Sequence, residues 1–257
     1  MDRMAIEGFD VWCLDLLGYG RSERPEQLRA HPEANPPIVD TQHAVAEVER
    51  AVDFICAHRE INRVNLIGYS WGTVTCGTFA GSHPERVERL VLSGALWIEK
   101  GGKLGAIAAT PGAYRSLDAA ALLSRWSVGM DEETMAQIVS LEVRQQWCED
   151  TVMSDEEATC FDPPRMKAPS GVIKDFQKYA ASGEPWYTPE KITAPTLVVV
   201  GEFDQETTPK QSMEVFSRLT RASEKRLTII GNGTHALLME ENRKELGRVV
   251  SSFLRGQ

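Results

Sequence analysis

Val64-Asn65-Leu66-Ile67-Gly68-Tyr69-Ser70-Trp71-Gly72 is the stretch whose reading decides the fold. Val64 to Gly68 is a short apolar run with strand character, and a helical pattern begins near Trp71. Between them a serine stands between two glycines at the spacing of a tight strand-to-helix turn. Glycine has no Cβ, so the backbone can turn sharply there and push the Ser70 hydroxyl above the strand ends. The same turn aims the Trp71 backbone N–H, at a helix N-terminus, toward any oxyanion that develops beside Ser70.

A serine hydroxyl is a weak nucleophile and needs a base. His235, in Gly-Asn-Gly-Thr-His-Ala, follows the apolar run Arg226 to Gly231 and precedes the last helix. A loop at the C-terminal end of a strand is where a base would meet Ser70. A lone histidine is by default a surface-loop residue, and the other four fit that description. His31 lies in a proline-rich loop, His43 at a helix start, His58 at a helix end and His83 before Pro84. A base in turn needs an orienting carboxylate. Asp204 follows the run Thr196 to Gly201 directly, which gives the chain order Ser, Asp, His. Glu202 and Glu206 are its neighbours and competitors for the role.

Outward from this centre, short apolar strands alternate with amphipathic helices, the pattern of an α/β fold with a mostly parallel sheet. The expected strands are Asp10–Asp15, Val64–Gly68, Arg89–Leu92, Thr196–Gly201 and Arg226–Gly231. Ala44, Val45, Val48, Ala51, Val52 and Ile55 predict a helix before the serine strand, and Leu246, Val249, Val250, Phe253 and Leu254 predict a final one. Between residues 97 and 187 strand signals vanish and helices take over. Met135, Ile138, Val139, Val143 and Trp147 predict one helix, and Val172 to Ala180 another. Ser154 and Glu157 have capping-box spacing. The expected organisation is an α/β core of residues 1–96 and 188–257 with a helical cap of residues 97–187. Three of the six tryptophans (Trp126, Trp147 and Trp186) fall in that insert.

The chain has 257 residues, enough for a sizeable core without metal or disulfide staples. A formal net charge of -9 leaves no footprint for nucleic acid or an anionic membrane. No apolar run approaches the roughly 20 residues of a membrane helix, and the first residues do not read as a signal peptide. Cys13, Cys56, Cys76, Cys148 and Cys160 are scattered and form no close metal-ligand pair. Free thiols and a cytoplasmic location are expected, with a Cys148–Cys160 bridge as the open alternative.

The chain resembles the α/β-hydrolase superfamily over nearly its whole length. The matching pieces are GFDVWCLDLLGYGRSERP, VNLIGYSWGTVTCGTFA, HPERVERLVLSG, APTLVVVGEFD and GNGTHALLME, in the family's order. The resemblance implies Ser70, Asp204 and His235 as the catalytic set and the Trp71 backbone N–H as an oxyanion donor. It implies no metal and no organic cofactor. The expected activity is hydrolysis of a small ester, thioester or lactone through an acyl-enzyme on Ser70. Its expected partner is a small-molecule acyl substrate, with no nucleic acid and no membrane, and a homo-oligomer is left open. Carbon–carbon bond hydrolysis, an iminopeptidase-like activity and a non-catalytic ligand-binding role on the same fold are the alternatives. Gly-Tyr-Ser-Trp-Gly is similar to the elbow of proline iminopeptidases, but Asp15-Leu16-Leu17-Gly18 lacks the Gln-Arg found there.

The chain also departs from the family. About three strands and a helix precede the DVWCLD strand in the resembling proteins, and only nine residues do so here. No His-Gly pair, the usual mark of the loop that carries a second oxyanion donor, occurs in the chain. The expectation is therefore a fold whose N-terminal strands are missing, with Met1 to Trp12 as the end of a helix running into its strand. The missing part could instead come from another chain, or the two flanking strands could close on each other. Loss of one oxyanion donor implies a rate lower by about 10²–10³ than in an intact relative.

Overall fold

The computed structural model describes residues 2–101 and 112–257. Residues 102–111 of the expected insert lie outside them. In chain order the elements are α1 (Asp2–Ile6), α2 (Thr41–Arg59), β1 (Val64–Tyr69), α3 (Trp71–Ser82), β2 (Val87–Ser93), β3 (Tyr114–Leu117), α4 (Ala119–Trp126), α5 (Glu132–Ile138), α6 (Leu141–Met153), β4 (Met166–Pro169), α7 (Gly171–Ser182), β5 (Thr196–Gly201), α8 (Pro209–Arg218), β6 (Lys225–Ile230) and α9 (Arg243–Leu254). They fall into two compact units. One comprises the chain up to Leu14, Val45–Glu99 and Glu184–Gln257; the other comprises Asp15–Ala44 and Lys100–Gly183.

The first unit is built on a four-stranded parallel sheet in the order β1-β2-β5-β6. Its central strands, VERLVLS and TLVVVG, are apolar on both faces because both faces are covered. Val91, Leu197 and Val199 point to one side and pack with Leu246, Val250, Phe253 and Leu254 of α9. Leu90, Leu92, Val198 and Val200 alternate with them and are equally buried. α3 packs on β1 and β2, burying Val74, Phe79 and Ala80. Its Gly77 admits the Tyr187 ring, which would lie 2.6 Å from a Cβ at that position.

Four of the five expected strands form, with ends shifted by a residue or two. Asp10–Asp15 does not: it has no regular secondary structure and joins no ladder. A strand exists only through its neighbours, and among the described residues β1 pairs on one side alone, with β2. Direct closure of the DVWCLD segment on β1 is thereby corrected. That segment is held by side chains instead. Arg59 pairs with Asp10 at 2.8 Å, and the Trp12 ring meets Phe54 edge-on at 5.9 Å. β1 behaves as a solvated edge, with Asn65 exposed and Ile67 45% exposed. Before this segment, the short α1 helix places Met4 against the α9 core cluster, with Phe9 following it.

The second unit is not helical throughout, contrary to the sequence reading. β3 and β4 pair antiparallel, from Tyr114 opposite Pro169 to Leu117 opposite Met166. Four-residue strands carrying Arg115, Ser116 and Lys167 show too little alternation to announce themselves. The single helix expected across Met135 to Trp147 is two. Val139 turns extended, and the Ser140 side chain accepts from Val143 N–H to cap a new helix, α6. Met135, Ile138 and Val139 are buried, whereas Val143 and Trp147 are exposed. The Ser154–Glu157 capping box is absent as well. Ser154 closes α6 and donates its hydroxyl to Thr151 O, while Glu157 pairs with Lys167.

All five cysteines are free. Cys13 and Cys160 are exposed and Cys56, Cys76 and Cys148 buried, so no Cys148–Cys160 bridge forms. Among the described residues, no helix is long and apolar enough to cross a membrane.

Candidate active site

β1 ends at Tyr69, and the chain reverses into α3 through a single residue. Ser70 has φ 54 and ψ -120, a strained conformation for a residue with a side chain. Its N–H donates to Ser93 O at 2.9 Å, which ties the turn to the end of β2. Thr73 Oγ1 donates to Ser70 O at 2.6 Å and accepts from Leu96 N–H at 3.0 Å. The two glycines of the motif have different duties. A Cβ on Gly68 would lie 2.3 Å from Gly72 O, so any side chain there would push the turn apart. A Cβ on Gly72 would meet nothing within 4 Å. The close approach thus requires the first glycine and not the second.

The structure brings Ser70, His235 and Asp204 together from three loops at the strand ends. Ser70 Oγ is 3.0 Å from His235 Nε2. His235 Nδ1 is 2.9 Å from Asp204 Oδ2. A carboxylate can only accept, so Nδ1 carries the proton and Nε2 presents a lone pair to the serine hydroxyl. Asp204 is 2% exposed, and its charge is satisfied rather than solvated. Its Oδ1 accepts from the N–H of Glu206 at 2.9 Å and of Thr207 at 2.8 Å. Its Oδ2 accepts from the Thr207 hydroxyl at 2.8 Å. Gly94, at φ +60, clears this space: a Cβ there would come within 2.7 Å of Thr207 Oγ1.

Of the competing acids, Glu202 turns away and accepts from Asn232 N–H at 3.1 Å. Glu206 comes to the other side of the imidazole, with Oε2 3.6 Å from Nε2. None of the other histidines meets Ser70. His31 accepts from Glu33 N–H, His43 sits on Asp40, His58 stacks on Phe54 and His83 on Phe79.

Three supports of the base were not legible in the sequence. Tyr69 stacks on the His235 ring at 5.0 Å and donates its hydroxyl to His235 O at 2.6 Å. Thr207 Oγ1 lies 3.1 Å from Nδ1 as well as holding Asp204. Glu240 is fully buried and accepts from both the N–H and the hydroxyl of Thr234, fixing the loop that carries His235. Trp71 is the first residue of α3, so its amide belongs to the N-terminal turn, where helix amides face outward. Among the described residues, no group of three or more His, Cys, Asp or Glu side chains is arranged to hold a metal ion.

Comparison with known proteins gives the class. A family model described as "alpha/beta hydrolase fold" matches residues 2–242. The chain belongs to this family of hydrolase-type enzymes. A Bacillus subtilis (strain 168) protein, provisionally named as a 2-succinyl-6-hydroxy-2,4-cyclohexadiene-1-carboxylate synthase, is 24% identical over 94% of this chain and 79% of its own length. Among solved structures, the enol-lactonase from Burkholderia xenovorans LB400 is similar with a TM-score of 0.57 and 21% identity, over 94% of this chain and 79% of that one. A thermophilic esterase from Thermogutta terrifontis is similar with a TM-score of 0.56 and 17% identity, over 94% and 78%.

Proposed function

We propose that the protein is a serine hydrolase that cleaves a small ester, thioester or lactone through an acyl-enzyme on Ser70. One observation carries this reading: Ser70 Oγ, the His235 ring and the Asp204 carboxylate form a continuous chain at 3.0 Å and 2.9 Å. That is the arrangement a hydroxyl needs to become a nucleophile at neutral pH.

The proposed steps follow from the atoms present. Ser70 Oγ attacks the acyl carbonyl as its proton passes to His235 Nε2. Asp204 holds Nδ1–H and stabilises the imidazolium. The Trp71 backbone N–H donates to the carbonyl oxygen and stabilises the negative charge that forms on it. Nε2–H then protonates the leaving group. Water, deprotonated by the same nitrogen, releases the acid and restores Ser70. Two of the structurally similar proteins are a lactonase and an esterase, which favours a carboxylic acyl group as the substrate class. A cytoplasmic location belongs to the same reading and is supported by five free thiols.

A series of p-nitrophenyl esters of increasing acyl length tests the proposal. Turnover of at least one ester, lowered by about 10⁴-fold or more in Ser70→Ala, is the expected result. An unchanged rate in Ser70→Ala would remove Ser70 from the chemistry.

A further inference from the structure

Among the described residues of the second unit, four lysines and arginines are partly or fully buried: Arg24, Arg115, Arg144 and Lys167. Three of them have a carboxylate partner. Arg24 meets Asp155 at 2.9 Å, Lys167 meets Glu157 at 2.7 Å, and Glu132 holds Arg144. Among the same residues no carboxylate pairs with Arg115. Its guanidinium offers five N–H donors, and one long bond, from Nη1 to Pro169 O at 3.4 Å, engages a single one of them. The Tyr19 hydroxyl donates to the same carbonyl at 3.3 Å. Cation and phenol thus converge on one neutral oxygen that neither holds at the distance of a good hydrogen bond.

The surroundings hold this pair in place. The β3–β4 ladder sets Arg115 opposite Ala168. Gly18, at φ +82, comes so close to Pro169 that a Cβ would lie 2.8 Å from its Cγ, and Arg24 Nη1 donates to Gly18 O at 2.7 Å. The loop that carries Tyr19 is therefore anchored through Arg24 to Asp155. Burial lowers the Arg115 pKa from its ordinary value; the Tyr19 side chain opposes this and the Arg125 charge adds to it. A cation drawn from water beside another cation, with no acid to offset it, destabilises the chain, and a ligand of opposite charge removes that cost. We propose that Arg115 and Tyr19 form a binding site for a small carboxylate. A carboxylate matches the planar fork of a guanidinium with two parallel bonds and brings the single negative charge that Arg115 lacks. The Tyr19 hydroxyl supplies a further donor. The inference goes beyond the hydrolase reading and does not depend on the chemistry at Ser70.

Thermal melting in rising concentrations of sodium propanoate tests it, against the neutral isostere propanamide with sodium chloride at matched ionic strength. The wild-type protein is expected to melt about 2 °C or more higher in propanoate than in propanamide. Arg115→Met is expected to lose that gain, and Tyr19→Phe to keep part of it. No gain in the wild type, or an equal gain in Arg115→Met, would overturn the inference. An Arg115-dependent gain from inorganic phosphate that equals the one from propanoate would overturn the carboxylate class. Should Arg115→Met not fold, phenylglyoxal, an arginine reagent, gives the same reading on the wild-type protein. Modification of Arg115, located by peptide mass spectrometry, is expected to slow several-fold in propanoate and not in propanamide. An Arg115 that reacts equally fast in both, or that does not react at all, would overturn the inference. None of these outcomes bears on Ser70-dependent ester hydrolysis, so the two readings stand or fall separately.

Discussion

At the scale of single residues the site depends on side chains whose partners are distant in sequence. Ser70, Asp204 and His235 are readable in one dimension because each sits directly after an apolar run. Tyr69, Thr207 and Glu240 are not. Tyr69 meets His235 across 166 positions, and no local pattern marks that pairing. Glu240 reads as one of two acidic residues at a helix approach, yet it is the buried anchor of Thr234. Asp204→Asn is expected to lower kcat by about 10⁴-fold with little change in KM, because the amide favours the wrong imidazole tautomer. Steady-state kinetics on an active ester checks it, and a loss below tenfold would contradict the assigned role. Thr207→Val takes a hydroxyl donor from a buried carboxylate. The expected loss of unfolding free energy is about 1–3 kcal/mol, measured by denaturant titration.

At the scale of elements, legibility followed burial. The runs TLVVVG and VERLVLS are covered on both faces and announce their strands. Asp10–Asp15 has a similar composition and forms none, since strand formation depends on a neighbour that composition does not reveal. Ser140 breaks what looks like one helix by offering its side chain as a cap, a contest that periodicity does not register. The turn from β1 to α3 allows a sharp comparison. Gly68→Ala drives a Cβ to 2.3 Å from the Gly72 carbonyl, whereas Gly72→Ala enters open space. The first is expected to lower stability by about 3 kcal/mol or more, or to prevent folding, and the second to change it by less than about 1 kcal/mol. Thermal melting of the two variants decides the matter. Equal melting temperatures would contradict the packing described for the turn.

At the scale of the whole molecule, stability carries a signature of its buried thiol. Burial pushes Cys76 up to about 11 from its ordinary value of 9.0. The folded chain therefore keeps a proton that the unfolded chain releases as the pH passes 9. Stability from this source is complete below that pH and is lost as the pH rises toward 11. The loss is about 1–3 kcal/mol, read as the extra alkaline destabilisation of the wild-type protein over Cys76→Ala. The same burial predicts that an aromatic disulfide reagent titrates Cys13 and Cys160 in the native protein, with the other three thiols reacting only after denaturation. The central claim concerns the folded molecule acting through one hydroxyl, and labelling with a fluorophosphonate probe tests it most directly. Ser70 in the native chain is expected to carry the phosphonyl adduct, located by peptide mass spectrometry, with labelling abolished in Ser70→Ala and strongly slowed in His235→Ala. A folded protein that stays unlabelled, or one labelled equally well without Ser70, would contradict the account.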